Sequence, residues 1–241
     1  MQNDKPKLYT CFSPLLLNLY NLEDAIVVVI DVFRATSTIA AALYNGAKEV
    51  VPMDSVEATI AMGSKLGGIT AGERDGRIVP GLDHGNSPLE YPREFIEGKT
   101  LILTTTNGTK LLHMALQLKA SEIVTGAFAN LDAVCAHIVS EKKNVILACA
   151  GWKDRVNSED SLFAGAVIEK VRDHFSIHCD SSLMAAELYA CVKNDFWNYT
   201  RQTTHFHRLA SYGLEKDIHW CITPNQANVL PVYRDGALII N

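Results

Sequence analysis

Short apolar runs alternate along this chain with longer stretches in which apolar positions recur at helical spacing, the pattern of a sheet covered by helices. Residues 26–31 read as a buried strand, 34–45 as a helix stopping at Gly46, and 49–53 as the next strand. A helix over 54–66, capped by Asp54 or Ser55, precedes a short strand over 67–72. A Gly- and charge-rich segment then runs to Pro92 with little regular periodicity, and so long a loop in a compact domain is usually functional. Beyond it the pattern predicts strands at 100–103, 122–125 and 144–149, with helices at 110–118 and 131–140. A long helix follows over 158–175, with Ser158 and Ser161 available as caps. Residues 181–220 read as mainly helical, and 229–240 as a hairpin turning at Asp235-Gly236. The alternation predicts an α/β fold with a mostly parallel sheet. No repeat or linker interrupts it, so residues 1–241 are expected to form one domain.

Composition narrows the function classes. The chain has 241 residues, 48% of them hydrophobic, enough for a large core. Its net charge of −5 and scattered lysines and arginines argue against nucleic acid or an anionic membrane as partner. The apolar runs are too short to span a bilayer, and residues 1–6 are polar with no apolar signal core, so a cytoplasmic protein is expected. Six cysteines lie far apart without a C-x-x-C pair, which predicts reduced and mostly buried thiols. Cys149, at a strand end, reads as a buried apolar residue sooner than a nucleophile. His205 and His207 are two apart, a poor metal spacing on a helix. Phe196, Trp197, Tyr199 and Trp220 suit core packing first, with a homodimer interface as the alternative.

In a doubly wound sheet ligands bind beyond the carboxyl ends of the strands, so the residues after each strand carry the functional signal. The strongest is Thr104-Thr105-Thr106-Asn107-Gly108-Thr109, which links a strand to a helix whose opening N–H groups suit an anion. Thr105, Thr106, Asn107 and Gly108 would face it, although the same residue types are ordinary caps and turns. After the first buried strand come Asp31, Arg34, Thr36, Ser37 and Thr38. Asp31 is suited to binding Mg²⁺ or attacking phosphorus, Arg34 to gripping a planar anion, and Ser37 and Thr38 to binding or capping. Glu73 and Arg74 stand in Ala71-Gly72-Glu73-Arg74-Asp75-Gly76-Arg77 and, if extended, point to opposite faces. Asn86 and Ser87, stiffened by Pro88, offer an amide and a hydroxyl. Glu159 and Asp160 open a helix, where they favour the dipole or hold a hydrated Mg²⁺. Together these loops describe a site for a multiply charged anion and a hard metal. Phosphate-ester hydrolysis is the economical chemistry, since its uncatalysed rate is so slow that enzymes accelerate it by up to ~10²¹, which Mg²⁺ and arginine can support.

These motifs, in this order and spacing, resemble the 2-phosphosulfolactate phosphatases over nearly the whole chain. The resemblance is carried by residues 29–38, 72–74, 85–88, 104–109, 149–151 and 159–160, and by His205, Arg208, Leu209, Asp217, Cys221 and residues 229–232. It implies a three-layer α/β/α fold with a mostly parallel mixed sheet and Mg²⁺-dependent hydrolysis of 2-phosphosulfolactate, a coenzyme M biosynthesis reaction. It further implies that Asp31, Glu73, Glu159 and Asp160 supply the metal and acid/base carboxylates, and that Arg34 and Arg74 hold anionic groups. Thr105, Thr106, Asn107 and Gly108 would cradle oxygens. Asn225 departs from an expected acidic position, and residues 152–155 fall in a variable loop suited to setting substrate choice. The alternatives are a phosphatase for another 2-phospho-hydroxycarboxylic acid and a non-catalytic binder of anionic metabolites. An aspartyl-phosphate on Asp31 and direct attack by water both stay open, with the missing Asp-x-Asp signature favouring water.

Overall fold

The computed structural model describes residues 5–74, 77–177 and 179–240. Asp75 and Gly76 of the charged turn, and Met1 to Asp4 at the N-terminus, lie outside the described residues. In chain order the elements begin with β1 (Leu8–Cys11), β2 (Ala25–Ile30), α1 (Ala35–Tyr44), β3 (Glu49–Met53), α2 (Val56–Leu66), β4 (Ile69–Arg74), β5 (Arg77–Ile78) and α3 (Arg93–Ile96). They continue with β6 (Thr100–Thr104), α4 (Gly108–Gln117), β7 (Glu122–Gly126), α5 (Leu131–Glu141), β8 (Asn144–Cys149) and α6 (Ser158–Val171). Four helices follow, α7 (Asp180–Val192), α8 (Phe196–Thr200), α9 (Thr204–Ala210) and α10 (Glu215–Ile222), before the hairpin β9 (Pro231–Arg234) and β10 (Ala237–Ile240).

The strands make one ten-stranded sheet in the order β1-β8-β2-β7-β9-β10-β3-β6-β4-β5. β1, β8, β2 and β7 run parallel to one another, as do β3, β6 and β4. The closing hairpin joins the two groups, with Val232 opposite Val124 of β7 and Leu238 opposite Val50 of β3, both antiparallel. Every residue of β2 is buried, because its two faces serve two cores. Ile26, Val28 and Ile30 pack with α5 and α6, whereas Val27 and Val29 pack with α1 and α4. This is the expected three-layer α/β/α arrangement. α7 adds a further cover over α6, so close at Gly165 that an added Cβ would sit 2.1 Å from the Ala185 carbonyl oxygen.

Most predicted elements stand within two residues of their expected ends. Ser55 caps α2, accepting from the Ala58 N–H at 3.1 Å, and the hairpin turns at Asp235-Gly236, both with positive φ. Three readings need correction. The helix from Ser158 ends at Val171, and residues 172–174 form a turn, so it is four residues shorter than expected. Its N-cap position is Asn157, not Ser158. β1 went unread because its four residues, LYTC, show neither strict alternation nor a long apolar run. Phe196, Trp197, Tyr199 and Trp220 pack against the core, with ring centroids 4.8 Å apart for Phe128–Phe196 and 5.7 Å for Trp197–Phe206. Among the described residues no helix is long and apolar enough to cross a membrane.

Candidate active site

The loop leaving β2 is fixed by the hydroxyls of α1. Thr36 Oγ1 lies 2.8 Å from the Gly126 carbonyl oxygen and 2.9 Å from that of Asp31, tying the exits of β2 and β7 together. Ser37 Oγ donates to the Val32 carbonyl at 2.8 Å and Thr38 Oγ1 to that of Asn86 at 3.1 Å. Ser37 and Thr38 thus hold the loop in place instead of lining an opening. Asp160 adds a third tie, one oxygen accepting from the Val32 N–H at 2.9 Å and the other from the Gly151 N–H at 3.0 Å. Burial, followed by the charges of Glu159 and Asp31, pushes the Asp160 carboxyl well above the usual carboxylate range.

Beyond these ties lies a small pocket. Six of the expected residues line it: Asp31, Arg34, Glu73, Asn86, Thr106 and Asn107. Burial pushes the Asp31 carboxyl up to about 7, with the charge of Glu73 adding to the rise. Glu73 is aimed by the loop between β6 and α4, its Oε1 accepting from the Thr106 N–H at 3.2 Å and from Thr106 Oγ1 at 3.1 Å. Arg34 is buried and ion-paired with Asp217 of α10, which fixes its guanidinium at the pocket wall. Asn86 Oδ1 is buried with no hydrogen-bond partner among the described residues, an acceptor that a ligand donor could satisfy.

Other expected residues support the pocket without facing it. Gly108 lies against Asp31, where an added Cβ would come within 2.9 Å of Asp31 Oδ2 and 2.8 Å of Ala35 Cβ. Thr105 accepts through its carbonyl from Thr109 Oγ1 at 2.8 Å, closing the first turn of α4. Ser87 Oγ accepts from the Leu89 N–H at 3.2 Å and caps a short turn. Arg74 points away from Glu73, as strand alternation predicts, and enters a separate groove with Lys110 and His113. There it donates to Thr104 Oγ1 at 3.2 Å. Cys149 is fully buried, and burial raises its thiol well above the ordinary value, which rules against a ready nucleophile. Asn225, with φ of 60°, accepts from the Asp132 N–H and donates to Asp132 Oδ2, both at 2.9 Å. It caps the first turn of α5 from outside, and its amide donates to a carboxylate that an acidic residue at this position would repel.

The pocket also contains Trp152, from the variable loop expected to set substrate choice, and Phe33, His205, Arg208 and Leu209, to which the sequence assigned no role in the site. His205 Nδ1 sits 2.5 Å from Glu159 Oε1, and its Nε2 sits 2.5 Å from an Arg208 nitrogen. The i, i+3 spacing of His205 and Arg208 placed them on one helix face, but their carboxylate partner is 46 residues away in sequence. Among the described residues no three His, Cys, Asp or Glu side chains gather as a closed metal site. Mg²⁺ needs only one or two protein carboxylates when substrate oxygens and water complete its shell, and Asp31 with Glu73 meets that requirement. Their mutual repulsion is the strain a cation relieves.

A sequence profile of 2-phosphosulpholactate phosphatase matches residues 11–236. Proteins named as probable 2-phosphosulfolactate phosphatases are similar over most of their length. One from Caldanaerobacter subterraneus subsp. tengcongensis is 37% identical, covering 91% of this chain and 92% of its own. One from Thermotoga petrophila is 39% identical over 88% and 91%, and one from Clostridium perfringens 33% identical over 96% and 95%. With the fold, the strand-end pocket and these matches in place, the chain belongs to the 2-phosphosulpholactate phosphatase family, a family of phosphoric monoester hydrolases.

Proposed function

We propose that the protein hydrolyses 2-phosphosulfolactate to sulfolactate and phosphate with Mg²⁺, as in coenzyme M-type biosynthesis, and does so in the cytoplasm, where its six free cysteines are at home. The observation that carries this reading is the pairing of two pocket carboxylates, Asp31 and Glu73, with the Arg34 guanidinium in one small enclosure at the strand ends. Asp31 and Glu73 would hold Mg²⁺, while Asp160 is engaged by two backbone N–H groups and Glu159 by His205. The ion would supply positive charge to the phosphoryl oxygens and acidify bound water. Arg34, its charge balanced by Asp217, would orient the phosphoryl group. The Thr106 and Asn107 turn would exclude bulk water and limit how the ester can enter. Attack by water on phosphorus forms one P–O bond and breaks the bond to the C2 oxygen. That oxygen leaves with the electron pair and takes up a proton.

The test is phosphate release from 2-phosphosulfolactate, phospholactate and phosphoglycolate, each with Mg²⁺ and with excess EDTA. Fast, metal-dependent turnover of phosphosulfolactate is expected, with no phosphoenzyme trapped from labelled substrate. Turnover of the sulfur-free esters alone would move the substrate assignment to another 2-phospho acid. No turnover of any ester, with stabilisation by the same compounds, would make the protein a binder.

A further inference from the structure

The carboxylate–imidazole–guanidinium chain of Glu159, His205 and Arg208 has a direction that its donors dictate. Arginine can only donate, so His205 Nε2 must accept from Arg208 at 2.5 Å. The imidazole proton then resides on Nδ1, where it donates to Glu159 Oε1 at 2.5 Å. Nδ1 is therefore engaged by Glu159 and Nε2 by Arg208, and His205 acts as a spacer between a buried carboxylate and a guanidinium. The other face of the guanidinium problem is solved by Trp152, whose ring centroid lies 4.0 Å from Arg208 Cζ.

Trp152 is itself held with unusual backbone geometry. It begins a two-residue turn in which Lys153 and Asp154 both have positive φ, at 50° and 63°, although neither is glycine. The turn is closed by Trp152 N–H to Arg155 carbonyl and Arg155 N–H to Trp152 carbonyl, at 2.9 and 3.0 Å. It is anchored from outside by Asn107 Oδ1 on the Lys153 N–H, by Ser13 Oγ on the Asp154 carbonyl, and by Lys110 on the Asp154 carboxylate. Residues from two distant parts of the chain, Ser13 and the start of α4, thus converge to fix the turn that places Trp152 against one guanidinium in the pocket wall.

Arg34 and Arg208 both line this pocket, and they come from different elements. Arg34 is neutralised by Asp217 and stands on the same loop as Asp31. Arg208 is carried by α9, its planar fork set by an imidazole edge and an aromatic face. A rigid planar donor fork suits an oxyanion on the substrate that does not react. We infer that Arg208, positioned by Glu159–His205 and Trp152, is the specificity-determining grip for the substrate's non-phosphate anionic group, carboxylate or sulfonate. The inference rests on the ester-hydrolase reading above and names the residue that would give it selectivity for doubly or triply charged esters.

The experiment compares wild type, Arg208→Gln and Arg208→Lys with Mg²⁺ on four esters. These are phosphosulfolactate, phospholactate (no sulfonate), 2-phosphopropane-1-sulfonate (no carboxylate) and isopropyl phosphate (neither). Arg208→Gln is expected to lower kcat/KM about 100-fold, mainly through KM, on esters carrying the gripped group. The change on isopropyl phosphate should stay under about threefold. Loss confined to the carboxylate ester or to the sulfonate ester, besides phosphosulfolactate itself, assigns which group is held. An equal loss on all four esters would overturn the inference, as would no loss on any. His205→Gln should raise KM on the same esters and add little on top of Arg208→Gln, whereas additive losses would remove its positioning role. If Arg208→Gln does not fold, Arg208→Lys carries the test, since it keeps the charge and loses the fork. If wild type releases phosphate from none of the esters, the hydrolase reading fails by itself. Thermal stabilisation by sulfolactate, present in wild type and absent in the Arg208 variants, still decides the grip.

Discussion

Asp31 is the side chain on which stability and function pull hardest in opposite directions. Its carboxyl rises from an ordinary 3.8 to about 7, first through burial and then through Glu73. The folded protein therefore holds a proton that the unfolded chain has released between about pH 4 and pH 7. Stability falls as pH rises through that window, because the native state binds more protons than the unfolded one. Above it, an ionised Asp31 beside Glu73 is a standing cost in the metal-free protein. Asp31→Asn removes that charge at nearly constant shape. The variant is expected to melt higher than wild type at pH 8 without metal, by at least the ~2–4 °C that 1 kcal/mol is worth in a chain of this size. The gap should shrink toward pH 5, and Mg²⁺ should raise the wild-type melting temperature at pH 8 more than that of the variant. Turnover should be abolished. Calorimetric scans at the two pH values check this, and an Asn variant no more stable than wild type at pH 8 would dismiss the charge-repulsion account.

At the level of elements, the start of α4 matters for what it leaves out as much as for what it contains. Gly108 has an ordinary place in a helix, yet a single Cβ there would press on Asp31 Oδ2 and Ala35 Cβ. Gly108→Ala is expected to displace the Asp31 carboxylate, costing about 1–3 kcal/mol of stability as overpacking does. Phosphate release should fall more than tenfold, and normal turnover with normal melting would mean that the contact relaxes freely. This junction was legible in the sequence because strand, hydroxyl-rich loop and helix are contiguous. The same held for β2, β3, β8 and the terminal hairpin, whose apolar runs and Asp-Gly turn are local signals. Arg74 was located less well. Alternation correctly separated it from Glu73, but which of two neighbours faces the pocket depends on how β4 seats against β6, a tertiary matter. His205 and Arg208 were hidden for a related reason. Their partners, Glu159 and Trp152, sit on α6 and on the turn before it, and no spacing rule links those positions to α9. The fate of Glu159 and Asp160 was equally illegible, since two adjacent acids at a helix start look alike until one meets backbone N–H groups and the other an imidazole.

Across the whole molecule, the last strands of the chain occupy the middle of the sheet. β9 lies against β7 and β10 against β3, so the hairpin is the seam between two parallel groups that otherwise share no strand pairing. Val232 and Leu238, its inward residues facing that seam, are almost wholly buried. α1 touches strands on both sides of the seam and both hairpin strands. The pocket depends on the same union, because Asp31 and Arg34 follow β2 in one group while Glu73 stands near the end of β4 and Thr106 follows β6 in the other. Removing the hairpin would expose two unpaired edges inside what is now a continuous sheet and would uncover apolar residues of both cores. A chain ending at residue 228 is therefore expected to lose cooperative thermal unfolding and phosphate release together, with neither half retaining a melting transition. Circular dichroism melts beside the activity assay provide the measurement. Should one half keep a sharp transition, residues 1–241 would comprise two folding units that meet at the seam. Adding residues 229–241 back as a separate peptide would then be expected to restore the pocket by strand addition. In a one-domain chain, by contrast, the peptide finds no folded edges to join, because the hairpin must be present for either group to complete its core.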